Sequence, residues 1–140
     1  MLTGEGLPPT ESELFKLNDY PILDENKGIE CIGEKKQLQE MLIVTLEEII
    51  PKETLDIEKA HCAHDWNKVQ KIAHKMKGGS LYCGTVRMTI ACQYMERYYK
   101  AGNKKLLEEL YQQLIEVIGQ TQHGIQIWLK AEKGNNLHKL

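Results

Sequence analysis

Apolar residues recur at intervals of three and four positions along most of the chain, which is the spacing of one face of an α-helix. Two long stripes of this kind begin near Glu34 and near Asn103. Pro51 is expected to kink or break the first helix, whose pattern resumes to about Ala63, because proline lacks a backbone N–H. The second stripe predicts a last long helix that ends before Lys133. The apolar members of the two stripes are Leu38, Met41, Leu42, Leu46, Ile49, Leu106, Leu107, Leu110, Leu114, Val117, Ile118, Ile125 and Trp128.

Two more helices are predicted between these stripes. Asp65 is a good N-cap, since its side chain can accept hydrogen bonds from the first turn, and it predicts a helix over 66–81. A short break leads to another helix over about 86–100, and Asp24 can cap a short helix that runs to about Cys31. Four long amphipathic segments joined by short turns predict an all-α fold, an antiparallel up-down four-helix bundle with a short additional N-terminal helix.

The two ends of the chain lack the helical pattern. Residues 1–18 carry Gly, Pro, Thr and Glu with few large apolar side chains, and they predict a flexible linker. The bundle domain is assigned to residues 19–132, and residues 133–140 are predicted to form a flexible tail. With 140 residues, 41% of them hydrophobic, the chain suits a single domain with one core.

Charge and composition argue against several classes of protein. The formal net charge of −2 disfavours a nucleic-acid-binding protein, which normally has a strong basic surplus. The N-terminus has no signal-peptide pattern, and the longest apolar stretch is short and contains two glutamates, so no membrane contact is expected from this segment. The four cysteines are scattered, as is typical of reduced thiols in the cytoplasm.

The helix predicted over 66–81 carries a histidine on its outer side. Its core face is predicted to hold Val69, Ile72, Ala73, Met76 and Ser80. At about 100° per residue, His74 lies about 140° from Val69, so we expect it to be exposed. Gly78 weakens the helix one turn further on, but it removes the side chain that would shield the imidazole. Lys71 and Lys77 can then supply positive charge to an anion on the ring, and a phosphoryl group fits this requirement.

A longer pattern of residue types surrounds this histidine. Its members are Ala73, His74, Met76, Lys77, Gly78, Gly79, Ser80, Gly84, Met88, Cys92, Met95 and Glu96. In type and spacing, the pattern resembles the histidine phosphotransfer (HPt) domains of multistep phosphorelays, and the resemblance extends over about residues 20–129. In that family the domain is commonly the C-terminal module of a hybrid sensor histidine kinase, which is what we expect here, with a free-standing protein as the alternative.

The resemblance implies a role for each residue near the histidine. His74 is the expected phosphoacceptor, which takes a phosphoryl group from a receiver-domain aspartate and passes it to another receiver. Lys77 is expected to stabilise the phosphoryl charge, and Gly78 to give steric access. Supporting roles are expected for Lys71, Lys75, Gly79, Ser80 and Gly84.

The resemblance also sets expectations for cofactors and partners. The partners are response-regulator receiver domains, which bring Mg²⁺, whereas no metal or other cofactor is expected on this chain. No phosphate-binding GxxxxGK[ST] loop is present, so we expect a phosphoryl carrier without kinase activity of its own. The isolated domain is expected to be a cytoplasmic monomer. An inner-membrane anchor elsewhere on the parent chain is compatible with this expectation.

Two other functions remain open from the residues alone. The lysine-rich face around His74 would also suit a helical docking adaptor that performs no chemistry. His61 and His64 are three positions apart and could share a metal with a cysteine, although further ligands at matching spacing are missing. Ser80 lies on the core face, so a structural role for its hydroxyl is as open as a role in transfer.

Overall fold

The computed structural model describes residues 1–138 of the chain, and the side chains of residues 1–134. This part of the chain is helical and contains no strand. A 3₁₀ turn comes first, and six helical segments follow. The segments are Glu11–Phe15 (3₁₀), α1 (Glu25–Ile32), α2 (Lys35–Val44), α3 (Ile50–Cys62), α4 (Trp66–Tyr82), α5 (Val86–Lys100) and α6 (Leu107–His138).

A π-helical turn joins α2 to α3, so the chain is helical without a break across Pro51. Residues Thr45–Ile49 form this turn, and the N–H of Ile50 donates to the carbonyl of Thr45, five residues earlier. A proline removes one backbone hydrogen bond and crowds the carbonyl one turn before it. The wider π turn accommodates that change. The predicted kink or break at Pro51 is therefore replaced by a continuous helix with one π turn.

The four long helices pack as the sequence predicts. The continuous α2–α3 helix packs through α3 on α4, α4 packs on α5, α5 on α6, and α6 returns to α3, with α1 against α2 and α4. The all-α four-helix bundle with a short additional N-terminal helix is thus confirmed. Among the described residues, none of the helices combines the length and the apolar character needed to cross a bilayer.

The buried face of α4 sets the direction in which its histidine points. Val69, Ala73 and Met76 are at most 2% exposed. Ser80 is also buried, and Ile72 is half-buried against the same core. Because a helix turns through about 100° per residue, this burial directs the opposite side of α4 toward solvent.

The N-terminal segment packs on the bundle, in contrast to the flexible linker predicted for residues 1–18. Leu14 is fully buried and Leu17 is 4% exposed. Arg87 of α5 holds the backbone of this segment, since its guanidinium donates to the carbonyl of Asn18. Two leucines three positions apart are too short a pattern to stand out among Gly, Pro and Glu, which explains why the sequence alone misses this contact.

The C-terminal helix is longer than the sequence predicts. We expected a flexible tail over 133–140, but α6 runs through Gly134 and ends at His138. A single glycine in a helix costs only about 1 kcal/mol relative to alanine, and no proline follows it here. The last two residues of the predicted tail, Lys139 and Leu140, lie outside the described residues.

Candidate functional site

His74 lies on the outward side of α4, as the helical period predicts. Its side chain is 61% exposed, and its Nδ1 is 2.6 Å from Oε2 of Glu96, a residue of α5. Within the part of the chain that the structure describes, no protein group bonds the other ring nitrogen, Nε2. One side of the imidazole is therefore held by the domain, and the other side faces solvent.

Glu96 is a buried carboxylate surrounded by cations. Its side chain has no exposed surface, and its two oxygens accept hydrogen bonds from Lys77 at 2.8 Å and Lys100 at 2.9 Å. Arg97 adds a longer contact, with Nε 3.9 Å from Oε1. A carboxylate removed from water is costly unless its charge is compensated, and these partners supply the compensation.

The surroundings of Glu96 keep it ionised. Burial raises its pKa, but the hydrogen bonds from Lys77 and Lys100, with the charges of Lys77 and His74, outweigh burial and lower the pKa to about 2. An ionised carboxylate can only accept hydrogen bonds. A neutral His74, with Nδ1 2.6 Å from this carboxylate, is placed to carry its proton on Nδ1, which leaves the lone pair on Nε2, the exposed nitrogen.

The ion pairs of Glu96 predict an acid-sensitive part of the domain's stability. Since the folded-state pKa is about 2 and the ordinary value is 4.5, this stability is fully present above about pH 4.5 and is lost as the pH falls toward 2. The difference is worth about 3 kcal/mol. We expect Glu96→Gln to be less stable than the parent at pH 7, and the two unfolding free energies to converge between pH 4.5 and 2. Urea titrations across this range measure the gap, and a gap that stays constant would contradict the prediction.

Lys77 belongs to the same cluster, and its expected role toward a phosphoryl group stays a prediction. The sequence predicts that its ammonium group reaches toward a phosphoryl group on the histidine. In the structure its side chain is 19% exposed, and its Nζ donates to Oε1 of Glu96. Lys77 is therefore engaged in holding the buried carboxylate. Lys71 and Lys75, in contrast, are exposed on the same helix as His74.

The two consecutive glycines of α4 are open to solvent. Gly78 and Gly79 are both exposed, and a Cβ atom added at either position would meet no atom within 4 Å. Packing inside this domain thus gives no reason for glycine at these positions. That Gly78 clears the approach to the imidazole one turn earlier stays a prediction.

Gly84 and Ser80 have structural roles in the turn between α4 and α5. Gly84 has a φ of +77°, and a Cβ there would overlap the backbone of Asp24 and Gly28 at the start of α1. Ser80 Oγ donates to the carbonyl of Thr85 at 2.9 Å, and Thr85 Oγ1 donates to the carbonyl of Ser80 at 2.9 Å. These bonds lock the turn, so the hydroxyl of Ser80 is satisfied within the fold.

A groove of about 680 Å³ lies beside Gly78, between α1, α4 and α5. Its walls are mainly apolar, and the 61% exposed Leu81 stands at its edge. Its charged lining residues are Lys27, Glu30 and Lys77, of which Lys77 is bonded to Glu96. The lining residues are Tyr20, Lys27, Glu30, Cys31, Lys77, Gly78, Leu81, Gly84, Val86, Thr89, Ile90 and Gln93.

The histidines that suggested a metal site are separated by their surroundings. His61 stacks on Tyr111 with ring centroids 3.7 Å apart, and its Nε2 is 2.8 Å from Glu108. His64 is exposed in the turn after α3, with a φ of 55°. No group of three possible metal-ligating side chains occurs among the described residues. The geometry gives the metal-binding alternative no support.

Sequence reasoning misses the partners of His74. Glu96 is part of the pattern that resembles the HPt domains, but the pattern does not show which residue of another helix it contacts. Its place on α5 shows only that it is buried, since it is four positions after Cys92, which is fully buried. A charged residue on a buried stripe normally needs a partner. Lys100 has no comparable signal, since a lysine in the last turn of a helix is common.

The sequence of the chain is similar to those of known proteins. The family model of the Hpt domain matches residues 37–124, a region that includes α4 and α5. The chain is also 26% identical over 104 residues to the sensor histidine kinase GacS of Pseudomonas protegens. The match covers 74% of this chain and 11% of that kinase, so the chain spans only a small part of that relative's length. No solved structure shows a significant match.

Proposed function

The chain belongs to the Hpt family of histidine phosphotransfer domains, and on this premise we propose that His74 is the residue that carries the phosphoryl group. It takes the group from the aspartate of a receiver domain and passes it to the aspartate of another. One observation carries this proposal: His74 is 61% exposed, and its Nδ1 is held by the buried carboxylate of Glu96. A nucleophilic nitrogen is thereby presented to a partner in one orientation.

The transfer step needs no base on this chain, because no proton leaves the imidazole. The lone pair on Nε2 attacks the phosphorus of the receiver's aspartyl phosphate, a P–N bond forms, and the P–O bond to the aspartate breaks. The aspartate leaves as a carboxylate, and the proton stays on Nδ1, so the ring gains positive charge. The Glu96 carboxylate, 2.6 Å from Nδ1, stabilises that charge where it develops. The return step reverses these changes.

The receiver supplies the remaining chemistry. Mg²⁺ and the acidic residues of a receiver would neutralise the phosphoryl oxygens during transfer. This domain would contribute position, since the histidine is fixed on a packed helix and needs no rearrangement before attack. The apolar groove beside Gly78 and the exposed lysines Lys71 and Lys75 offer a surface for an acidic partner.

We expect a large charged residue at Gly78 to slow transfer. Gly78→Glu should lower the rate by about tenfold or more, since only about 1.4 kcal/mol lost in the docked transition state has this effect. The matched control is Gly119→Glu, because Gly119 is also an exposed helical glycine with open space around it and lies on α6. Single-turnover transfer from a phosphorylated receiver measures both rates. Equal rates for the two variants would remove our explanation of the glycine.

A transfer assay tests the proposed function as a whole. The chain is incubated with a radiolabelled phosphorylated receiver domain, and the label is followed with time. We expect label on the chain that is stable in base and labile in acid, and no label from ATP alone. A complex that forms without transfer would favour a docking adaptor and would refute the proposed function.

A further inference from the structure

Two lysines hold the carboxylate of Glu96, and they differ in exposure. Lys77 bonds Oε1 and is 19% exposed, whereas Lys100 bonds Oε2 and is 48% exposed. Oε2 is also the oxygen that lies 2.6 Å from Nδ1 of His74. Lys100 and the imidazole therefore approach the same oxygen, while Lys77 bonds the other one.

A phosphoryl group on Nε2 would change the charge balance at this cluster. It brings between one and two negative charges and three strong acceptor oxygens to the outer side of the ring. A lysine has a flexible four-carbon stem and a freely rotating ammonium group, so it can turn from one anion to another nearby anion. Lys77 is largely covered by its neighbours, but Lys100 is about half-exposed on the last turn of α5, beside the same histidine.

We propose that Lys100 is the cation that turns from Glu96 to the phosphoryl group when His74 is phosphorylated, while Lys77 stays on Glu96. This inference rests on the proposed function of His74. This movement gives the phosphoryl oxygens a hydrogen-bond donor. It also leaves Oε2 of Glu96 free to stabilise the positively charged Nδ1–H. The role that the sequence suggested for Lys77 is thus carried by a lysine of the neighbouring helix.

A purely structural role for Lys100 makes a different prediction. Lys100 is four residues after Glu96 on the same helix, and the pair could serve only to compensate the charge of the buried carboxylate. If that were its whole role, its loss would affect the phosphorylated and the free domain equally. The equilibrium between phosphorylated domain and phosphorylated receiver would then be unchanged.

The test is that equilibrium, measured for the full chain with one receiver domain. We expect Lys100→Ala to shift the phosphoryl group toward the receiver by about tenfold, which corresponds to about 1.4 kcal/mol. Lys100→Arg, which keeps a cation, should stay within about threefold of the parent, a difference of about 0.7 kcal/mol. The matched control is Lys104→Ala, because Lys104 is an exposed lysine in the connection between α5 and α6, and it should leave the equilibrium unchanged. The affinity of the unphosphorylated partners should be the same for the parent and for Lys100→Ala.

Three results would show that Lys100 does not bind the phosphoryl group. An unchanged equilibrium in Lys100→Ala would overturn the proposal, as would an equal shift in Lys104→Ala or an equal loss of affinity for the unphosphorylated receiver. Lys77→Ala, measured alongside, should retain more of the phosphoryl group than Lys100→Ala, and the reverse order would return the role to Lys77. If the parent itself takes no label, the proposed function fails; if the parent is labelled and Lys100→Ala matches it, only the role of Lys100 fails.

Discussion

His74→Gln takes no label from a phosphorylated receiver and unfolds at nearly the same temperature as the parent. The side chain of His74 is 61% exposed, so its replacement removes little packing. A glutamine amide can still donate to the Glu96 carboxylate, which keeps the buried charge satisfied, but it has no nucleophilic nitrogen. Transfer assays and thermal unfolding measure the two quantities on the same preparation.

The control for this variant is His123→Gln. His123 is an exposed histidine on α6, and we expect its replacement to leave labelling unchanged. Retained labelling of His74→Gln would show that another residue accepts the phosphoryl group. A large fall in its unfolding temperature would instead show that the imidazole supports the fold.

Glu96→Gln transfers about 10- to 100-fold more slowly than the parent. The amide oxygen of glutamine can accept the Nδ1–H bond, but it carries no charge to stabilise the ring once the P–N bond forms. A hydrogen bond to a charged group is worth about 1.5–3 kcal/mol, which sets the size of the effect. Glu96→Ala should lose at least as much, because nothing then fixes the proton on Nδ1. Single-turnover transfer at pH 7 measures these rates.

A second buried carboxylate provides the control for Glu96→Gln. Glu132 is 9% exposed on α6, and Lys35 approaches its Oε2 at 2.9 Å. Glu132→Gln also removes a buried charge from an ion pair, but away from the histidine. It should leave the transfer rate unchanged, and a loss equal to that of Glu96→Gln would mean that general destabilisation explains both.

The outward position of His74 could be predicted because a helical period fixes rotation. Once Val69, Ala73 and Met76 are assigned to the core, the direction of every other side chain of α4 follows from 100° steps. The number and order of the long helices follow from the same periodicity. The family resemblance then singles out this histidine as the expected phosphoacceptor, since the pattern of glycines and lysine around it is local in sequence.

Contacts between helices could not be predicted in this way. Glu96 lies 22 positions after His74, and no local pattern states that the two side chains meet. Lys77 and Lys100 each bond one oxygen of the same carboxylate, and the packing of α4 on α5 decides which ammonium group is covered. Arg87 likewise holds the N-terminal segment through backbone carbonyls, which any residue type supplies.

The measurement that tests the central claim most directly is the assignment of the phosphorylated nitrogen. The chain, labelled with ¹⁵N in its five histidines, is phosphorylated by a receiver, and long-range ¹H–¹⁵N NMR identifies the ring and the nitrogen that carry the phosphorus. We predict phosphorus on Nε2 of His74, with the proton on Nδ1 beside Glu96. Phosphorus on Nδ1, or on any other histidine, would contradict the account.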